Sequence, residues 1–542
     1  MTRTRREGAM VGLCVATLLA GTIGTTMPSP AQAFCGFYVA GADTSLYANA
    51  SMVVLMREGT NTVLSMQNNY QGPPEDFALV IPVPTVLTED QVKILPSEVF
   101  AHVDALSAPR LVEYWEVDPC DPFDCTGCVD AAASGDPTAR ERDDEGGVTV
   151  EAQFTVGEYE VVILSASDSM GLDTWLRDND YNIPPGAEPI LAPYVAAGTK
   201  FFVAKVDPSK VSFENGQAAL SPLRFHYDSE DFSLPVRLGL LNSQGIQDLI
   251  VNILAQDRYE VANYDNAFIP TNVRVQNEVR DEFGVFYESL FTELLDKQPG
   301  AVVTEYSWDA STCDPCPTPP LEPSELATLG ADVTRDQGQQ QDRFSAGYTL
   351  TRLHYRYTQD TLGEDLVFKR ADPVVGGRGT PDQQGILEKT EVSPSGFNNF
   401  QGRYIILHPW EGDIGCQEPQ RGFWGGPQGE GDPMTQGSRN QALSGVAPKA
   451  TSLPRLLAEP IAELDVEPLL PLDPFEIREG DLPTPGERPA SDRAVDAGER
   501  SMRSDTGDGC SCRIAAGSRR LSPAALGLLG LLAWHRRRRA RR

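Results

Sequence analysis

From Cys510 to Arg542 the chain reads Cys510-Ser511-Cys512, a small-residue spacer, a mostly apolar run from Leu521 to Trp534, and then His535 with six arginines in the last seven residues. This ending constrains everything before it, because it decides on which side of a membrane the body folds. Ser522 is placed to N-cap a helix beginning at Pro523, where a missing N–H costs nothing, and Ala524 to Trp534 favour helix. Fourteen residues at about 1.5 Å each span roughly 21 Å against roughly 30 Å of hydrocarbon, which is short for a permanent anchor and suits a processing signal. Arginines flanking an apolar segment hold that end in the cytoplasm and leave the preceding residues outside.

Cysteine, a short apolar helix and an arginine cluster in this order resemble the myxobacterial-type C-terminal sorting signal (MYXO-CTERM). The resemblance implies cleavage near Cys510 or Cys512 by an intramembrane sorting protease, loss of the helix and delivery to the cell surface. An uncut single-pass anchor stays open as the alternative, with membrane contact through the helix. The N-terminus carries a matching leader: Arg3, Arg5 and Arg6, an apolar segment from Ala9 to Ile23, and Ala31-Gln32-Ala33. That pattern is a secretory signal peptide over residues 1–33, cleaved between Ala33 and Phe34.

Export changes the charge balance. Of the formal net charge of -32, residues 1–33 contribute +2 and residues 513–542 contribute +9, so residues 34–512 carry -43. Such a surface repels phosphate backbones, which excludes nucleic acid as a partner and favours solubility outside the cell. The seven cysteines of the body are Cys35, Cys120, Cys125, Cys128, Cys313, Cys316 and Cys416. In an oxidising compartment these are disulfide candidates, in a connectivity that spacing does not determine. Iron–sulfur or zinc sites drawn on Cys120-x4-Cys125-x2-Cys128 and Cys313-x2-Cys316 need reduced thiolates, and Asp118, Asp121 and Asp124 would repel them, so no metal and no cofactor is expected.

Periodicity predicts an α+β body, rich in strand with few helices and disulfide-pinned loops. Ser51–Met56 and Thr62–Gln67 suggest a hairpin through Glu58-Gly59, and Phe77–Val83, Leu111–Val117, Thr149–Thr155, Glu158–Ala166 and Lys200–Val206 suggest further strands. Leu223–Tyr227, Val236–Leu241, Leu249–Leu254, Tyr259–Asn263 and Tyr404–Leu407 continue the pattern. Apolar stripes predict helices over Ser97–Leu106, over Leu172–Asp178 with Asp168 as cap, and over Asp281–Lys297. Over Ala346–Thr358, Leu353, Tyr355 and Tyr357 fall on one face and His354 and Arg356 on the other.

The expected organisation is an α+β region over 34–311, a Cys/Pro-rich joint over 312–345, a smaller β-rich region over 346–427 and a disordered Pro-rich stalk over 428–509. The sorting signal follows over 510–542. Eight prolines between Pro454 and Pro489 exclude long helix from the stalk, although Leu453–Ile477 is apolar enough to dock.

Phe34-Cys-Gly-Phe-Tyr-Val39, Phe77-Ala-Leu-Val-Ile-Pro-Val-Pro84, Thr174-Trp-Leu-Arg177, Leu238-Gly-Leu-Leu-Asn242 and Tyr259-Glu-Val-Ala-Asn-Tyr264, in this order, resemble the exported bacterial family known as domain of unknown function 2330. The resemblance runs from about Phe34 to Pro427. It implies an extracytoplasmic domain and supplies no catalytic residues.

The body lacks H-E-x-x-H, G-x-S-x-G and P-loop signatures. Of its histidines, His102, His226, His354 and His408, the best acid–base candidate is His354, with Arg352, Arg356 and Asp365 near it in sequence. Its bland reading is a histidine bonded to a neighbouring carboxylate. Gly376-Gly377-Arg378-Gly379 reads as a turn. Phe397–Trp424 is rich in aromatic and amide side chains, so Arg403, Trp410 and Trp424 are candidate ligand-binding residues, weighed against a packed core segment around Cys416. These features predict a non-enzymatic surface or envelope module that meets envelope or matrix protein or polysaccharide. The alternative is an extracellular hydrolase with a dispersed site. The partners implied by the two ends are the secretion machinery and a C-terminal sorting protease.

Overall fold

Alternate residues of the paired strands Tyr47–Glu58 and Asn61–Gln71 enter different cores: Val53, Leu55, Leu64 and Met66 on one face, Val54, Met56 and Val63 on the other. This is the two-residue period of a strand buried on both sides. Gly59, at φ +59, closes the expected hairpin with a backbone that a side chain disfavours. The computed structural model describes residues 37–39, 47–71, 78–120, 150–179, 186–214, 217–241, 246–334, 347–382, 384–426, 439–442 and 452–471.

The hairpin lies within a sheet of 13 strands among the described residues. Along its middle run Asn61–Gln71, Tyr47–Glu58, Gln247–Ala255, Thr349–Tyr357 and Val302–Asp309, with Tyr47–Glu58 and Gln247–Ala255 parallel. A second sheet of five strands packs on one face, where Leu79, Ile81, Val161, Ile163, Phe202 and Ala204 meet Leu55, Val251 and Leu353. The outer face of this smaller sheet carries Phe201 and Val203 against the helices Ser169–Asp178 and Ala187–Ala196. The opposite face of the large sheet is covered by the helices Ser97–Ser107 and Val279–Lys297. Behind the longer helix a third sheet pairs Arg403–His408 in parallel with Arg110–Glu116. The fold is α+β, rich in strand, with loops pinned by the disulfides Cys120–Cys416 and Cys313–Cys316.

The stripes predicted as helices are helices, and Asp168 caps Ser169–Asp178 by accepting from the Gly171 N–H at 2.6 Å. Three expectations need correction. Residues Val236–Leu241 are not a strand but enter a 3-10 turn over Arg237–Leu241, because the Asp365 carboxylate accepts from the Val236 and Arg237 N–H groups at 2.8 and 3.1 Å. Residues 346–427 are not a region apart, since Thr349–Tyr357 lies between Gln247–Ala255 and Val302–Asp309 and shares their ladder.

The third correction concerns the stalk. It is not disordered linker from 428 onwards, because residues 452–471 are part of the body. Leu453, Leu456, Leu457, Ile461 and Leu464 are buried against Val279, Phe283 and Leu290 of the long helix. Backbone bonds from Gln276 N–H to the Leu456 carbonyl and from Ala458 N–H to the Arg274 carbonyl tie the segment down. Apolar side chains in a Pro-rich stretch can still dock where short turns suffice, and Leu453–Leu456 is a single turn. Ala33, Phe34, Cys35, Cys125, Cys128, Cys510, Cys512 and the apolar run Leu521–Trp534 lie outside the described residues. Among the described residues no helix is long and apolar enough to cross a membrane.

Candidate functional site

Alternation along Thr349–Tyr357 sends Leu353, Tyr355 and Tyr357 into the sandwich core and turns Arg352, His354 and Arg356 to the opposite face, Arg352 towards the helix Ser97–Ser107 and the other two towards the long helix. On the neighbouring strand the register slips between Thr304 and Tyr306, so Glu305 is the extra residue of a β-bulge. The bulge delivers its carboxylate to three donors. Arg352 Nε lies 2.6 Å from Oε2, His354 Nδ1 lies 2.6 Å from Oε1, and the Tyr287 hydroxyl donates from the helix. His354 Nε2 meets Asp248 Oδ1 at 2.9 Å from the strand on the other side.

The network extends in both directions. The Arg356 guanidinium bridges Asp248, at 2.7 and 2.9 Å, and Glu288 of the helix, at 2.8 and 2.9 Å. Arg352 Nη1 reaches Asp104 Oδ1 at 2.5 Å and Ser107 Oγ at 3.2 Å on the helix Ser97–Ser107. Glu305 and His354 are each 1% exposed, and the His354 ring stacks on Phe291 at 4.0 Å.

Burial on its own would push His354 towards the neutral form, but the Glu305 charge and the ring's hydrogen bonds to both carboxylates raise its pKa above the ordinary value. Burial pushes Glu305 up as well, and the charges of His354 and Arg352 outweigh it, holding the carboxyl at about 2. Asp248 is lowered in the same way, with burial opposed by His354 and Arg356. Tyr287 is pushed well above its ordinary value by burial and by the adjacent Glu305 charge. Both ring nitrogens of His354 therefore donate. A buried imidazolium between two carboxylates has no lone pair free to take a proton, so the arrangement fastens three strands to two helices rather than opening a reaction site. Asp365, near His354 in sequence, is elsewhere and accepts from Tyr194 Oη at 2.8 Å.

The aromatic stretch Phe397–Trp424 divides in the same direction. Phe400 and Tyr404 are buried beside the long helix, and Trp424 packs with Val112, Tyr114 and Ile405. Arg403 is fully buried, with Nε on Asn272 Oδ1 at 3.0 Å, Nη1 on Tyr114 Oη at 2.9 Å and Nη2 on the Glu388 carbonyl at 2.7 Å. Trp410 is half-buried, and its backbone N–H donates to Glu116 at 2.9 Å. The same fully buried carboxylate takes Arg421 Nε and Nη2 at 2.8 Å and the Gly422 N–H at 2.8 Å. These candidates do not share one open face: Arg403 and Trp424 point inward, and Phe397 is the large apolar side chain left out, 60% exposed.

Glu305, Asp248, Glu288 and Tyr287 were not legible as site residues. They lie 49, 106, 66 and 67 positions from His354, and only the pairing of three strands and the packing of the helix Val279–Lys297 on them bring these residues together. Among the described residues no group of three or more His, Cys, Asp or Glu side chains is arranged to hold a metal ion.

No curated protein and no solved structure matches the chain. The resemblance drawn from its motifs extends to about Pro427, whereas the family-model match ends at residue 369. Residues 29–369, more than half of the chain, match the model of the family described as an uncharacterized protein conserved in bacteria (DUF2330), and the chain belongs to that family.

Proposed function

We propose that this chain is exported through its leader, delivered to the cell surface or envelope, and works there as a non-enzymatic binding or structural module. Its stalk, on this reading, begins after residue 471. The observation that carries export is the Cys120–Cys416 bridge, which joins positions 296 apart and persists where thiols are kept oxidised. The acidic balance of -43 over residues 34–512 agrees with a soluble external body.

Support for a module without acid–base catalysis comes from the buried network, in which the best acid–base candidate is spent on two carboxylates. The alternative, an extracellular hydrolase acting through His354, requires the imidazole to leave both partners. The partners of the proposed module are an envelope or matrix protein or polysaccharide, with the secretion machinery and a sorting protease acting on its ends.

Protease shaving of intact cells, followed by mass spectrometry of the shed material, tests the location. The expected result is a mature chain starting at Phe34 and ending near Cys510 or Cys512, with Cys120 linked to Cys416. An uncut chain recovered from cytosol with both thiols free overturns it. Retention on purified envelope polysaccharide or matrix, without turnover of glycan and peptide panels, is the result expected for a binding module. Turnover abolished by His354→Ala would instead establish the hydrolase.

A further inference from the structure

Cys313-Asp314-Pro315-Cys316 closes a disulfide over a separation of three residues, and the two sulfurs differ in access: Cys316 is exposed, whereas Cys313 is half-buried against the core under the helix Ser97–Ser107. The loop is seated on the Gly376-Gly377-Arg378-Gly379 turn. Gly379 N–H donates to the Asp314 carbonyl at 3.2 Å, and Gln401 Nε2 bridges the carbonyls of Asp314 and Gly377. A methyl group on Gly379 would overlap the Pro315 ring, so the close approach of the two loops requires glycine there. Beneath them Arg403 and Tyr114 hold the carbonyls of Arg378 and Gly379.

Two charged side chains meet the loop. The Arg110 guanidinium is fully buried, lies 5.4 Å from the Tyr306 ring centroid, and donates to the carbonyls of Leu106, Ala108 and Pro315. Each of its described hydrogen bonds therefore goes to a neutral acceptor, and its positive charge is anchored on the residue preceding Cys316. Asp314, the charge that opposes a thiolate, is occupied by Thr380 N–H at 2.7 Å, Thr380 Oγ1 at 2.5 Å and Arg378 Nε at 3.2 Å. Each sulfur also has a carbonyl at hand for the reduced form: Thr318 O 3.8 Å from Cys313 Sγ and Cys313 O 3.0 Å from Cys316 Sγ.

A positive charge beside a two-residue-spaced cysteine pair favours thiolate, and exposed disulfides are the exchangeable ones. Cys120–Cys416 has the same access, with Cys120 exposed and Cys416 half-buried, but it closes a long separation and has the loop-closure stabilisation of a structural bridge, of which Cys313–Cys316 has little. From this seat, this short closure and this charge we infer that Cys313–Cys316 is a thiol–disulfide exchange site that oxidises a dithiol on a polypeptide.

A substrate thiolate attacks Cys316 Sγ, forming a mixed disulfide while the Cys313–Cys316 bond breaks with its electron pair on Cys313 Sγ. The substrate's second thiolate then attacks its own first sulfur, forming the substrate disulfide and releasing Cys316. Two electrons and two protons pass from the substrate dithiol to the cysteine pair. One equivalent of disulfide is consumed, and the protein is the oxidant. This activity goes beyond a binding or structural role and can fail without touching it.

The test uses the full-length chain purified in the oxidised state. Dithiothreitol titration with alkylation and peptide mass spectrometry is expected to open Cys313–Cys316 at a concentration at least about tenfold below that which opens Cys120–Cys416, with native circular dichroism retained. A reduced peptide dithiol is expected to yield one equivalent of peptide disulfide with wild type and none with C313S/C316S, while C313S carrying a preformed mixed disulfide at Cys316 releases peptide disulfide. The proposal is overturned if both bridges open together, if Cys313–Cys316 opens only on unfolding, or if wild type oxidises no more peptide than the double variant. The titration needs only wild-type protein, so a variant that misfolds does not remove the test.

Discussion

His354 Nδ1 lies 2.6 Å from Glu305 Oε1, and it is a one-residue slip between two strands that brings the pair together. The bulge aims the Glu305 carboxylate at the side of the large sheet where the helix Val279–Lys297 lies, and the Tyr287 hydroxyl of that helix completes its donors. A charge so deep in the protein is tolerated because each carboxylate meets charged donors.

Removing one partner leaves an uncompensated buried charge. His354→Ala is expected to cost about 3–5 kcal/mol of folding stability, read from urea denaturation. The double variant with Glu305→Ala should cost less than the sum of the two single changes by at least about 1 kcal/mol. Additive costs would mean that the two groups do not interact.

The network also gives stability a defined pH dependence. Glu305 is depressed from 4.5 to about 2, so its contribution is complete above the unfolded value and disappears as pH falls through the folded one. Asp248, also lowered, acts in the same sense. His354 is raised above 6.5, so its contribution is complete below that value and disappears as pH rises through the folded pKa. Wild type should therefore lose stability towards both limits, and Glu305→Gln should flatten the acid limb in denaturation midpoints measured from pH 2 to 9. An acid limb unchanged by that substitution would dissociate it from Glu305.

Leu456 and Leu457 are fully buried although they sit in a stretch dominated by proline. Leu456→Ala is expected to destabilise the whole body by about 2–5 kcal/mol. Thermal denaturation checks this, and a neutral result would return the segment to the stalk.

The two disulfides should differ in their contribution to stability. C120S/C416S is expected to lose about 2–5 kcal/mol, because the bridge closes a separation of 296 residues, whereas C313S/C316S should lose clearly less. Denaturation midpoints of the two double variants under oxidising conditions decide it.

Much of the fold was legible where the pattern is local. The stripe Val99, Phe100, Val103 and Leu106 and the stripe Phe283, Phe286, Leu290, Phe291 and Leu294 are helix faces in the structure, and the split of Leu353 and Tyr355 from His354 follows strand geometry. No element was expected over Val302–Asp309, although it is a central strand. Its residues are nearly all buried, so polarity does not alternate, and the bulge at Glu305 breaks the two-residue period. The candidate site was legible only as one histidine with two arginines, because its acidic partners come from other strands and a helix.

The amino-acid order by itself determined the α+β class, the faces of the clearest helices and strands, and the strongly acidic balance, because each depends on neighbours a few residues apart or on composition alone. Tertiary structure alone decided that Cys120 pairs with Cys416 and Cys313 with Cys316, that residues 452–471 belong to the core, and that His354 is held between two carboxylates. Those outcomes depend on contacts between positions separated by tens to hundreds of residues, and such contacts exist only after the sheets have paired and the helices have closed over them.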